Sequence, residues 1–303
     1  MCYPPRSSWG PANEWSAHPE LTPAGSRDDP CVPREHRGPD YWDTNPVSAT
    51  SKISPIFLAL LGVTVLGGLL CAFGTANKFL LGLGAILLVF GGYVVTLCLH
   101  EFGHAITAFR GGDWAVRGKG YLNLDPRRYT DPVLSLLLPL LILAIGGIPL
   151  PGGAVWINHH ALRNKKVESA VSVAGPAANL VVAIVLTLAV ALGFRGATLS
   201  FGSISLGAAL TYLAMLQILT FIINILPIPG LDGWGAIEPW LPYQAQEFGR
   251  KVRPWAPLGL FVILIAIPPA VGVLYQIVGF ILQAFGGSYE LALIGQQLAM
   301  PWR

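Results

Sequence analysis

From residue 54 onward the chain alternates long apolar runs with short polar links. The apolar runs cover about 54–73, 78–109, 133–150, 167–194, 203–225 and 257–285. A helix needs roughly 20 mostly apolar residues to cross a bilayer. The pattern therefore predicts an all-α polytopic membrane protein with about six apolar segments. The last run contains Pro268 and Pro269. Proline lacks the amide hydrogen that a helix interior needs, so a kink or split is expected there, and a single crossing by 257–285 stays open. The first 53 residues read differently. They are rich in Pro, Ser, Asp and Arg, hold Trp9, Trp15 and Trp42, and carry no apolar stretch of the secretory-signal kind. Such a composition buries too little to fold. The division is a disordered tail over 1–53 and a membrane domain over 54–303.

Basic residues orient the runs. Arg110, Arg117, Lys119, Arg127 and Arg128 follow the second run; Arg163, Lys165 and Lys166 precede the fourth; Arg250, Lys251 and Arg253 precede the sixth. Loops enriched in Lys and Arg stay on the cytoplasmic side, which places these three loops, and with them the tail, in the cytoplasm of a cell-membrane protein. The run 133–150 then has basic flanks at both ends. It also carries Pro139, Gly146, Gly147 and Pro149. A re-entrant segment that returns to its own side satisfies both observations. The alternative is an ordinary crossing whose loop charges break the rule.

Composition narrows the classes. Of the 303 residues 53% are hydrophobic and only 12% charged, against roughly 25% charged in soluble domains; the mean hydropathy is +0.58. A net charge of +3, with no basic stripe interleaved with aromatics, argues against nucleic acid. Cys2, Cys31, Cys71 and Cys98 show no paired spacing, so neither a disulfide framework nor a thiolate metal site is expected.

The candidate chemistry lies near the end of the second run, in His100-Glu101-Phe102-Gly103-His104. Ionisable groups inside an apolar span are costly and point to function. Positions i and i+4 of a helix share one face. His100 and His104 can thus hold one metal ion, with Glu101 beside them as general base. A catalytic zinc takes three protein ligands and a water, so a third ligand is needed. Asp232 is the candidate. It follows the fifth run in Pro227-Ile-Pro229-Gly230-Leu231-Asp232-Gly233, where the helix must break and the carboxylate can turn back. Taken alone, the same residues also describe a turn aspartate. Asp232 reaches the histidines only if the third run does not cross; otherwise it arrives roughly 30 Å away. Two amides are candidates for binding substrate, Asn179 in Ala174-Gly175-Pro176-Ala177-Ala178-Asn179 and Asn224 at the end of the fifth run. An interhelical hydrogen bond is the competing role for each, and Asn224 leans that way. Gly175 and the alanines around it permit close helix approach. His159 and His160 read as interfacial loop residues.

Taken together, HEFGH at 100–104, AGPAAN at 174–179 and Asn224-x-x-Pro227-x-x-x-Leu231-Asp232-Gly233 resemble the site-2 protease family of intramembrane zinc metalloproteases. The stretch from Gly112-Asp113 to Leu137-Leu138-Pro139 is similar to the compact prokaryotic branch, and no polar insertion is long enough for a PDZ or CBS domain. The resemblance implies a three-helix catalytic core and one zinc ion per chain. His100, His104 and Asp232 would be ligands, Glu101 the catalytic base, and Asn179 and Asn224 substrate contacts. It further implies hydrolysis of peptide bonds in a transmembrane protein substrate within the lipid bilayer, as in regulated intramembrane proteolysis, with an upstream protease or adaptor left open. Two rival classes remain at this stage, an ion or small-solute transporter and a catalytically idle scaffold. The single HExxH without a matching second half disfavours the first; the intact base and ligand set disfavours the second.

Overall fold

The computed structural model describes residues 52–74, 77–129, 137–144, 155–193 and 201–302. Nearly all of the tail lies outside these residues. Eleven α-helices occur among the described residues, and no strand does: α1 Pro55–Phe73, α2 Lys78–Gly111, α3 Ala115–Gly118, α4 Leu138–Ala144, α5 Lys165–Gly193, α6 Phe201–Ile225, α7 Asp232–Ile237, α8 Tyr243–Val252, α9 Ala256–Ala266, α10 Pro268–Ala284 and α11 Tyr289–Ala299.

Helices α1, α2, α5 and α6 are long and apolar enough to cross a membrane. This differs from six equivalent segments in two places. The run 257–285 is split into α9 and α10, which bend by 94° where Pro268 removes a helix hydrogen bond. Of the run 133–150 the described part is α4, whose seven residues extend only about 10 Å. Its remainder lies outside the described residues.

The topology nevertheless follows from what flanks that run. Arg163 N–H donates to the Gly111 carbonyl at 3.1 Å, joining the start of α5 to the end of α2. Gly112 lies at φ 123°, where a side chain would be strained, and a Cβ on it would strike the Ala161 carbonyl oxygen. The end of α2 and the start of α5 thus lie side by side. Helix α5 runs antiparallel to α2, and α6 returns parallel to it.

Helix α2 is the axis. Most of its length is buried, and its 34 residues span about 51 Å, well beyond the hydrocarbon thickness of about 30 Å. Helix α1 packs on it at Gly67 and Gly84, where a Cβ on Gly67 would lie 2.7 Å from the Gly84 carbonyl oxygen. Small residues at a crossing let backbones approach and gain dispersion contacts in lipid, where no hydrophobic drive exists. Helix α6 holds the centre of the bundle, with Tyr212, Met215, Ile218, Leu219 and Ile223 fully buried. Helix α11 closes against it at Gly295 and Ala208. Leu58, Leu61, Val65 and Leu69 of α1, and Val181, Val185, Leu188 and Leu192 of α5, are exposed apolar faces suited to lipid.

Candidate metal centre

Three elements meet where α2 nears its end. The i, i+4 spacing stacks His100 and His104 on one face, and their Nε2 atoms lie 3.1 Å apart. Helix α6 ends at Ile225, and Gly230, at φ 97°, turns the chain. Gly233 then packs so closely that a Cβ would strike the Ile225 and Leu226 carbonyls. This folds Asp232 back at the first position of α7. Its Oδ2 lies 3.3 Å from His100 Nε2 and its Oδ1 3.4 Å from His104 Nε2.

These separations fit a tetrahedral zinc. Ligand bonds of roughly 2.0–2.2 Å put neighbouring ligand atoms about 3.4 Å apart. The tautomer fits as well. The Val171 carbonyl lies 2.7 Å from His104 Nδ1, which must donate to it; His104 Nε2 is left with its lone pair free for a metal. Burial would raise the Asp232 carboxyl, but the two imidazoles beside it outweigh that and hold it well below the usual carboxylate range. Asp232 Oδ2 is buried without a hydrogen bond. Among the described residues, His100, His104 and Asp232 are the group able to share one ion.

The AGPAAN stretch of α5 makes room for this set. A Cβ on Gly103 would lie 2.7 Å from the Ala174 carbonyl oxygen, and one on Gly175 would sit on His104 Nε2 and 2.7 Å from His100 Nε2. Only a glycine leaves space in front of the two nitrogens. The sequence marked Gly175 as a close-approach residue; its target is the imidazole pair.

Glu101 is 2% exposed. Its Oε2 accepts the Val155 N–H at 3.1 Å. This backbone contact could not be foreseen, because it joins residues 54 positions apart. Asp113 extends the anchoring, accepting the Asn158 N–H at 2.8 Å. Val155 to Asn158 are thereby held along one wall of a cleft of about 340 Å³. His100, Glu101, His104 and Asp232 line that cleft together with Asn224, His159 and Arg253. Asn179 is buried but is not among the lining residues.

A cleft with two imidazoles, a carboxylate set for a metal and a second carboxylate beside them, between helices of span length, is the arrangement of a membrane-embedded metallohydrolase. The chain belongs to the site-2 protease family of zinc metalloproteases. It is 40% identical over 259 residues to "Putative zinc metalloprotease Rip2" of Mycolicibacterium smegmatis, which covers 85% of this chain and 97% of that protein. The protein of the same name in Mycobacterium tuberculosis is 42% identical over 250 residues, or 82% of this chain and 94% of the relative. "Putative zinc metalloprotease YwhC" of Bacillus subtilis is 30% identical over 186 residues, 56% of this chain and 81% of the relative. No family model matches the chain, and no solved structure does. Zinc is the metal, and peptide-bond hydrolysis is the reaction class.

Proposed function

We propose that the protein is an intramembrane endopeptidase that cuts a membrane-spanning polypeptide near the cytoplasmic face of the cell membrane, as a step of regulated proteolysis. The observation that carries this reading is the place of the cleft, between a helix of span length and a connecting loop. His100, Glu101 and His104 lie on a helix of span length, while the cleft wall beyond them is built by Val155, Ile157 and His159 of the loop that precedes α5. The basic loops flanking α2 and α5 support a cytoplasmic mouth.

His100 Nε2, His104 Nε2 and Asp232 are assigned as zinc ligands. A zinc ion held by these three residues would lower the pKa of a bound water and polarise a carbonyl. Glu101 is assigned as the base. Its Oε2 is tied to Val155 N–H, which orients the carboxylate and leaves Oε1 to take a proton from the attacking water and return it to the leaving amine. Water oxygen bonds to the carbonyl carbon, the C–N bond breaks, and a carboxylate and an amine result. Asn224 lines the cleft and serves as a substrate contact; Asn179 remains a candidate one helical turn beyond Gly175. Hydrogen bonds hide the carbonyls of a substrate helix, so the helix must unwind to react.

Glu101→Gln should retain one zinc per chain and lose cleavage of a co-reconstituted membrane peptide by at least about 10³-fold, more than one positioned donor supplies. Metal analysis beside the cleavage assay checks both. Retained cleavage would remove Glu101 as base.

A further inference from the structure

The proteolytic assignment above uses neither His159 nor Glu168. His159 lies in the cleft wall, and its Nδ1 is 2.9 Å from Glu168 Oε1. An ionised carboxylate only accepts hydrogen bonds, so Nδ1 carries the hydrogen. In the neutral ring Nε2 is then an acceptor, and no described group engages it. Two anchors fix the imidazole's place. Glu168 is in the first turn of α5, the helix that also supplies the Val171 carbonyl to His104. The chain just before His159 is tied at Val155 to Glu101 and at Asn158 to Asp113. His159 is half exposed at the edge of the cleft; its neighbour His160 is exposed too and does not line the cleft.

An unwound substrate brings carbonyls and amide hydrogens out of their helical pairing, and each one left unmet in the cleft is costly. Arg253 and Asn224 can donate to carbonyls. Glu101 and Asp232 accept hydrogen bonds but belong to the reacting set. Asn224 Oδ1, Ser172 Oγ and the unprotonated Nε2 of a neutral His159 are the side-chain acceptors outside that set, and His159 is the one whose ring a carboxylate orients. A cleft of 340 Å³ taken as a sphere is about 9 Å across, and extended chain advances about 3.3–3.6 Å per residue. Whatever His159 touches is therefore within about three residues of the bond being cut.

We propose that His159, oriented by Glu168, is a substrate-contacting residue that accepts a backbone N–H of the unwound polypeptide within about three residues of the scissile bond. This rests on the proteolytic reading and adds a subsite to it.

The probe is a fluorescent apolar peptide of about 25 residues, long enough to span, with an Asn-Pro pair near one end to ease unwinding. Its affinity is measured in detergent for the Glu101→Gln protein, alone and combined with changes at residue 159. His159→Ala should weaken binding about tenfold, the loss of one net hydrogen bond. His159→Gln keeps an acceptor and should bind within about threefold of the parent. His159→Lys offers only donors and should bind as weakly as alanine. Replacing single peptide amides near the Asn-Pro pair by esters should locate one position where the ester and His159→Ala losses are not additive. Zinc content should stay at one per chain throughout. The proposal is overturned if His159→Ala binds within twofold of the parent, if lysine serves as well as glutamine, or if the alanine variant loses zinc. Binding that depends on His159, with no cleavage by the unmodified protein, would sink the proteolytic reading instead. Cleavage with binding indifferent to His159 would sink only this one.

Discussion

Helix α2 is approached at backbone distance twice, by α1 at Gly67 and Gly84 and by α5 at Gly103 and Gly175. The same device serves both contacts, since a missing Cβ lets two backbones come together. Around Gly67 the atoms met are Leu88 N and backbone of Gly84 and Leu87. Around Gly175 they are the ring atoms of His100 and His104. One contact ends in backbone packing, the other in a metal-binding face. The difference teaches that helix association and site construction can share one mechanism, and that what stands behind the glycine decides which of them it is.

That contrast can be broken by adding one methyl group at each crossing. Gly175→Ala should be the more damaging. The new Cβ would collide with both imidazoles, and a displacement near 1 Å at a reacting centre costs on the order of 10² in rate. Zinc per chain should drop with it, as metal analysis of purified protein will read. Normal zinc and normal cleavage in this variant would refute the role given to Gly175. Gly67→Ala should separate α1 from α2 at a cost of about 1–3 kcal/mol, seen as a lower melting temperature in detergent. Zinc stoichiometry and cleavage per folded molecule should remain near those of the parent. A loss of zinc there would show that the two crossings are not independent.

A smaller effect tests the loop joined to α1. Asp125 caps the turn at Arg127 and pairs with its guanidinium at 2.8 Å. The Arg127 hydrogen bond holds the Asp125 carboxyl below its ordinary range, against the opposing effect of burial. A carboxyl lowered in the folded state stabilises fully above its unfolded pKa of about 3.9, and that contribution fades as pH falls through the folded value. The ion pair is exposed on the arginine side, so Arg127→Ala should lower stability only slightly. Melting curves at pH 6 and pH 3 should differ less in the variant than in the parent; an unchanged difference would discount the pair.

The sequence was most legible where the determining physics is local. Hydropathy placed α1, α2, α5 and α6 within a few residues, because each is a continuous apolar run. The i, i+4 rule paired His100 with His104, and Pro268 announced the break between α9 and α10. Asp232 was reachable because its turn is written in Pro229-Gly230. Legibility ended where a contact joins distant stretches. Val155 offers only a backbone N–H to Glu101, which no side-chain pattern records. His159 reads as a loop residue and lies in the loop before α5, but its pairing with Glu168 on that helix has no pattern in the sequence. Helix α8 was missed because it is short and amphipathic. Its Gly249 packs so closely on Trp234 that a Cβ would lie 2.7 Å from Cε2 of the indole, a contact that supports the turn carrying Asp232.

The clasp between Gly111 and Arg163 has a consequence for exchange among relatives. The segment it closes contributes a wall of the cleft and enters and leaves at one point. Grafting the stretch 113–162 from a relative, with both anchor residues kept, should transplant that wall and the substrate preference it carries. The direction of every later span would stay as it is. The histidines and the aspartate would keep their places in such an exchange.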